Sequence, residues 1–245
     1  GKKQEAHEMV NTLEQQHLAY TRALLNDSYY AQAEKALNEF FTELQWAVDD
    51  ADADKYDYSY DQIVCMGELL STRIFAFYLQ QSGVNFEWKD IRDVVRTDAT
   101  YRDARVDWEF SKAKAAEILS PVLASGASII TQGFIGATAD NASVTLGREG
   151  SDYTAAMLAA WLGAESVTIW KDVEGLQNAD PKLFPNTVKI EAITYHEVIE
   201  MAYYGAQVIH PKTIKPLQNN NIPLYVKCFL DKDLPGTVIQ NDVNS

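Results

Sequence analysis

The chain has 245 residues, 47% of them apolar; that is long enough to bury a core without disulfides, in one large domain or two small ones. With 35 acidic residues against 21 basic ones the formal net charge is −14, which repels phosphate backbones and anionic lipid and so speaks against nucleic-acid and membrane-surface partners. The two cysteines, Cys65 and Cys228, lie far apart with no CxxC spacing, a pattern that disfavours a zinc site or a secreted disulfide scaffold and fits a reducing, cytoplasmic setting.

The amino terminus is polar and shows no signal peptide. Apolar Met9, Leu13, Leu18, Leu24 and Leu25, then Leu37, Phe40, Phe41, Leu44 and Val48, recur at three- and four-residue steps. They predict two helices with a break near Asn26-Asp27-Ser28. Asp49 to Asp61 is acidic, with carboxylates alternating at Asp50, Asp52 and Asp54. A calcium loop needs Gly at its sixth position and Glu at its twelfth; Asp54 and Tyr60 stand there, so the stretch reads as a solvated linker. Ile63 to Phe77 reads as one long buried helix with Gly67-Glu68 near its start. A short strand is expected around Val94-Val95, and a helix from Phe110 to Leu119 that Pro121 ends. Ile118 to Ala139 carries no charge, but its Pro, Gly and hydroxyl residues are unlike a membrane span. Within it, Ala127 to Thr131 reads as a buried strand leading into Gln132-Gly133-Phe134-Ile135-Gly136. Ser143 to Leu146 is a second strand, followed by a glycine-bearing turn and an apolar helix from Asp152 to Leu162 that Gly163 stops. Ser166 to Trp170 is the next strand. Strand, turn, helix, strand reads as a βαβ unit of an α/β protein with a mostly parallel sheet. Beyond it the order is helix Tyr195 to Tyr204, strand near Val208-Ile209, helix Lys212 to Asn219 and strand Leu224 to Cys228, with Pro223 at its head.

Three places carry chemistry. The turn Gly147-Arg148-Glu149-Gly150-Ser151-Asp152 precedes a helix, so it offers free N–H groups and the positive end of a helix dipole. Ser151 or Asp152 can cap that helix, and Arg148 adds a planar fork suited to a carboxylate or phosphate. The same residues would also serve as a plain capped turn. The second place is Lys171-Asp172 with the later Lys182, beyond the carboxyl end of a strand, where open α/β sheets bind ligands. The third is Glu68, which complements a helix dipole in the first turn or, facing a pocket, holds an ammonium group. His210, before Pro211, reads as a core or capping histidine. No P-loop motif is present in the sequence.

Gln132-Gly-Phe-Ile-Gly136, Thr145-Leu-Gly-Arg-Glu-Gly-Ser-Asp-Tyr-Thr-Ala155, Trp170-Lys-Asp-Val-Glu-Gly175 with Asp180-Pro-Lys182, Gly205-Ala-Gln-Val-Ile-His-Pro211 and Pro235-Gly-Thr-Val-Ile239 together resemble the signature series of the aspartate kinase family. Gly67-Glu-Leu-Leu-Ser71 and Asp103-Ala-Arg-Val-Asp107 extend the likeness, which spans roughly residues 60 to 240. The resemblance implies the amino acid kinase fold, a three-layer α/β/α sandwich around a mostly parallel sheet. It implies transfer of the γ-phosphoryl of MgATP to the side-chain carboxylate of L-aspartate, at the head of lysine, threonine and methionine biosynthesis. It also implies a homo-oligomer with small-molecule substrates only.

On matching positions it gives Arg148 the substrate's α-carboxylate and Glu68 its α-ammonium, with Gly147 and Gly150 shaping that pocket. Ser151 and Asp152 organise the reacting carboxylate and phosphoryl end. Lys171, Asp172, Lys182 and Gln207 fall on the nucleotide side, and no residue is assigned as a protein metal ligand. Glu149 stands where the family normally has glycine, Gln207 where it commonly has lysine, and Lys182 where it usually has arginine. The family's N-terminal Lys-x-Gly-Gly-Thr loop is not found. Residues 1–240 are therefore expected to form one catalytic domain without that loop. Residues 241–245 are a stub where ACT regulatory domains commonly follow. Another amino acid kinase, or a non-catalytic aspartate- or nucleotide-binding module, remain as alternatives.

Overall fold

A computed structural model describes residues 2–179, 183–184, 186–204 and 209–243. The chain divides into two compact units, Gly1–Gly147 and Arg148–Ser245.

The first unit opens with two long helices, α1 (Lys2–Leu24) and α2 (Asp27–Asp49). They break at the expected place because the Asn26 side chain accepts from the Tyr29 N–H and caps α2. On α2, Ala33, Leu37, Phe41, Leu44 and Val48 are buried; steps of four and three residues put them on one stripe. A third helix, α3 (Tyr56–Gln81), packs on α2. It begins well before Ile63, so the expected linker is shorter. Asp57 and Asp61 are helical, and Gly67-Glu68 lies in the helix interior and caps nothing. By length and composition α3 could cross a membrane; here it packs against α2 and the strand Ser143–Thr145.

Strand β1 (Phe86–Trp88) pairs in parallel with β2 (Ser128–Ile130). Ser128 is exposed and Ile129 and Ile130 are half-buried, so β2 is less buried than its apolar run implies. Val94 and Val95 are buried but follow a 3-10 turn at Ile91–Asp93 and form no named strand. An apolar pair reports burial, not extension. Helix α4 (Trp108–Ile118) is capped by Asp107, and Pro121 sits in the first turn of the short α5 (Ser120–Ala124). Proline thus starts a helix here, where its missing N–H costs nothing. Strands β3 (Ile135–Ala137) and β4 (Ser143–Thr145) form an antiparallel pair.

In the second unit, α6 (Gly150–Leu162) ends at Gly163, whose φ of +67° is left-handed, as a helix stop requires. Strand β5 (Val167–Lys171) pairs in parallel with β7 (Leu224–Cys228). β7 pairs antiparallel with β8 (Thr237–Gln240), and β8 in parallel with β6 (Ala192–Thr194), giving the order β5-β7-β8-β6. Three of the five ladders among the described residues are therefore parallel, in keeping with the expected sheet. The expected βαβ unit is not one ladder, because β4 pairs with β3 and β5 with β7. Leu224, Val226 and Cys228 alternate inward along β7. Leu224 and Val226 join Ile169 of β5, Ile239 of β8, and Ile214 and Leu217 of α8 (Pro211–Asn219). Helix α7 (Tyr195–Tyr203) starts at a Thr194–Glu197 capping box. Strands β6 and β8 were not foreseen: each has four residues or fewer and carries too little periodicity to stand out. Of the strand expected near Val208-Ile209, Val208 lies outside the described residues.

Candidate functional site

In the first unit, the end of β4 is held by Asp61. This fully buried carboxylate accepts the Thr145 N–H at 2.8 Å, the Thr145 hydroxyl at 2.9 Å and the Arg102 N–H at 2.9 Å. Burial pushes its pKa above the ordinary aspartate value, and the three donors pull it back only in part. Two residues on, Gly147 has φ +77°, and a Cβ there would meet the Asp103 carboxylate at 2.6 Å. A side chain there would be strained at that φ and would push the Asp103 carboxylate aside. Glu68, on the same helix as Asp61, is half-buried. Burial raises its pKa, and among the described residues its carboxylate has no ion pair or hydrogen bond.

In the second unit, Arg148 is exposed and makes neither ion pair nor hydrogen bond among the described residues. Glu149 is the cap position of α6, with φ +54° and ψ +31°, and its side chain does not cap the helix. Ser151 and Asp152 are already helical, so neither is the cap; the handedness of Glu149 fixes where the helix starts. The first bond of this helix runs from the Tyr153 N–H to the Glu149 carbonyl at 3.1 Å. The N–H groups of Gly150, Ser151 and Asp152 therefore precede the ladder and are available to an anion beside Arg148.

Asp152 pairs with Lys171 at 3.2 Å, and both side chains are largely buried, 18% and 26% exposed. The pair ties the head of α6 to the carboxyl end of β5 and brings together two residues that the sequence had placed in separate roles. Asp172, next along, is exposed. Lys182 and Gln207 lie outside the described residues. His210 caps α8, its ring Nδ1 accepting from the Lys212 N–H at 3.2 Å, as its place before Pro211 predicted. Sequence reasoning missed two features: Asp61, hidden in a run of aspartates, and the Glu149 carboxylate, which accepts the His210 N–H at 2.6 Å from 61 positions away. An apolar neighbourhood after Tyr60 was the only local sign of the first, and nothing local signals the second.

The left-handed backbone at Glu149 costs an L residue about 1–2 kcal/mol. A hydrogen bond to a charged acceptor returns about 1.5–3 kcal/mol. The His210 contact is thus enough to hold the turn in that shape. Among the described residues no group of three carboxylate, His or Cys side chains surrounds a common point.

Residues 6–228 match the amino acid kinase family. The lysine-sensitive aspartokinase 3 of Escherichia coli is 41% identical over 181 residues, 74% of this chain and 40% of that protein. A bifunctional aspartokinase/homoserine dehydrogenase of Arabidopsis thaliana is 36% identical over 73% of this chain and 19% of its own length. The chain thus spans less than half of either relative. The crystal structure of E. coli aspartokinase III in complex with aspartate and ADP superposes with a TM-score of 0.89 at 32% identity, covering 98% of this chain and 53% of that one.

Proposed function

The chain belongs to the amino acid kinase family and has its fold, and we propose that it carries the catalytic chemistry of an aspartate kinase, moving the γ-phosphoryl of MgATP to the side-chain carboxylate of L-aspartate to give 4-phospho-L-aspartate. The observation that carries this reading is the head of α6: a guanidinium at Arg148, unpaired among the described residues, beside three N–H groups outside the helix ladder. That is a receptor for a carboxylate or a phosphoryl oxygen. The solved relative bound to aspartate and ADP fits the same chemistry.

Arg148 takes the α-carboxylate through its planar fork. The likeness to aspartate kinases assigns the α-ammonium to Glu68, which is half-buried and has no ion pair or hydrogen bond among the described residues. The acceptor carboxylate of aspartate is ionised near neutral pH, so it attacks without a general base. Catalysis is then positioning plus charge stabilisation, as in phosphoryl transfer generally. Lys171, held by Asp152 at the strand end, supplies a fixed cation, and the α6 N–H groups supply fixed dipoles. Magnesium, carried by ATP, would supply charge neutralisation at the phosphates. Asp172, Lys182 and Gln207 are assigned to the nucleotide.

The test is Arg148→Ala in the full-length protein, with aspartyl phosphate trapped as the hydroxamate. Aspartate KM should rise roughly 10- to 100-fold, as expected for a lost charge-assisted contact, with ATP KM within about threefold of the parent. Equal losses for both substrates, or none for aspartate, would overturn the assignment.

A further inference from the structure

Building on the aspartate-kinase reading, we infer that Glu149 is a positioning residue: its carboxylate clasps the His210 N–H and so holds the Arg148 turn against the head of α8, in the shape that receives the substrate carboxylate. Two observations carry this. The backbone at Glu149 is left-handed, φ +54°, a conformation that glycine adopts freely and glutamate rarely. The carboxylate then reaches across 61 positions to the His210 N–H at 2.6 Å, the length of a charge-assisted bond. His210 is itself fixed, because its ring Nδ1 caps α8 through the Lys212 N–H. A second contact closes beside the first: the Lys212 ammonium lies 5.1 Å from the centre of the Tyr153 ring. Tyr153 is the residue whose N–H begins the α6 ladder, on the Glu149 carbonyl. The turn and the α8 head are thus joined at both ends of one short stretch, Glu149 to Tyr153.

Glu149 acts through its neighbour. Its carboxylate is committed to His210, while Arg148 on one side and the Gly150 and Ser151 N–H groups on the other take their directions from its φ and ψ. Loss of the clasp should loosen those groups without removing any of them.

Two variants separate the clasp from the backbone. Glu149→Gly keeps the left-handed turn at no steric cost and deletes the clasp; Glu149→Gln keeps an acceptor oxygen of the same reach. The first readout is amide hydrogen exchange in the ligand-free full-length protein. In Glu149→Gly the His210, Gly150 and Ser151 amides should exchange at least about 10-fold faster, with core strand amides unchanged, and Glu149→Gln should stay within about threefold of the parent. The second readout is hydroxamate formation. Glu149→Gly should raise aspartate KM about 10-fold and leave kcat within about twofold, with Glu149→Gln restoring most of the loss. Unchanged exchange in Glu149→Gly overturns the clasp. Faster exchange with an unchanged aspartate KM overturns the positioning role. If the parent protein forms no aspartyl phosphate, the aspartate-kinase reading fails, and the Gly150 and Ser151 exchange still decides whether Glu149 holds the turn.

Discussion

Replacing Glu68 with glutamine should make the protein bind aspartate worse and fold no less stably. Glu68 is half-buried on α3, and its carboxylate has no partner among the described residues, so burial alone raises its pKa. In the free protein its charge is a cost that glutamine, of the same shape, does not carry. The sign follows from linkage. A folded pKa above the unfolded value means that the native state binds more protons. Stability therefore falls as pH rises from the ordinary glutamate value of about 4.3 through the raised folded value. Glu68→Gln removes that fall and should be as stable as the parent at pH 7, or more so. When an ammonium arrives, the order reverses, because the carboxylate must ionise to pair. Aspartate binding then releases protons and tightens as pH rises through the raised pKa. An exposed pair would lose about 0–1 kcal/mol, but half-burial puts the loss nearer the 1.5–3 kcal/mol of a charge-assisted bond, or roughly 10- to 100-fold in affinity. Calorimetry of aspartate binding from pH 5 to 8, in buffers of different ionisation enthalpy, reads both the affinity and the protons released. Aspartate affinity within about threefold of the parent, or a clear loss of stability, would show that Glu68 is a structural carboxylate and sink the assignment.

Asp61→Asn should lie within about 1 kcal/mol of the parent in urea unfolding, since an amide can still serve the two N–H donors, whereas Asp61→Ala strands them and should cost roughly 3–6 kcal/mol. Because burial raises the Asp61 pKa, the parent should lose stability as pH rises from about 3.9 through that raised value, and the Asn variant should lack this slope. Lys171→Met should lower kcat by about 10²–10³, with a double-mutant cycle against Asp152→Asn showing strong coupling in stability. Gly147→Ala should lower the urea midpoint by an amount worth about 1–3 kcal/mol, through its positive φ and the approach to Asp103.

Local signals carried the helices well. Asn26 marks the α1–α2 break because a short polar side chain reaches the N–H groups of the next turn, and that reach is a property of the residue. The inward faces of α2 and β7 follow from period alone. The start of α3 was hidden because Tyr56 to Asp61 is as polar as a loop; what buries Asp61 is three donors from residues 102 and 145, which no window around Asp61 contains. The α6 cap was misread for a related reason. Ser151 and Asp152 are good caps by type, but the position of a cap depends on which residue leaves helical φ and ψ. Here that residue is Glu149, and its partner is His210. The signature turn itself was legible because glycine at positive φ leaves a mark in the sequence that a glutamate at positive φ does not.

The charge of the whole chain bears little on whether this turn receives an anion. At physiological salt, exposed charges are screened over about 8 Å, so most of the −14 is not felt at the head of α6. A cation in contact with its ligand at about 4 Å is worth roughly 1 kcal/mol in water and about 4 kcal/mol near a protein surface. What counts is the balance within the turn, and two of its six residues, Glu149 and Asp152, are acids. Both are already engaged: Asp152 by Lys171, and Glu149 by the His210 N–H. On the proposed reading, their pairing keeps both carboxylates off Arg148 and leaves it and three helix N–H groups to an incoming carboxylate. On that reading it also accounts for a glutamate in a turn that receives anions. Unclasped from His210, Glu149 would be free to compete with the substrate for Arg148, one residue away, and the site would be weakened by its own side chain.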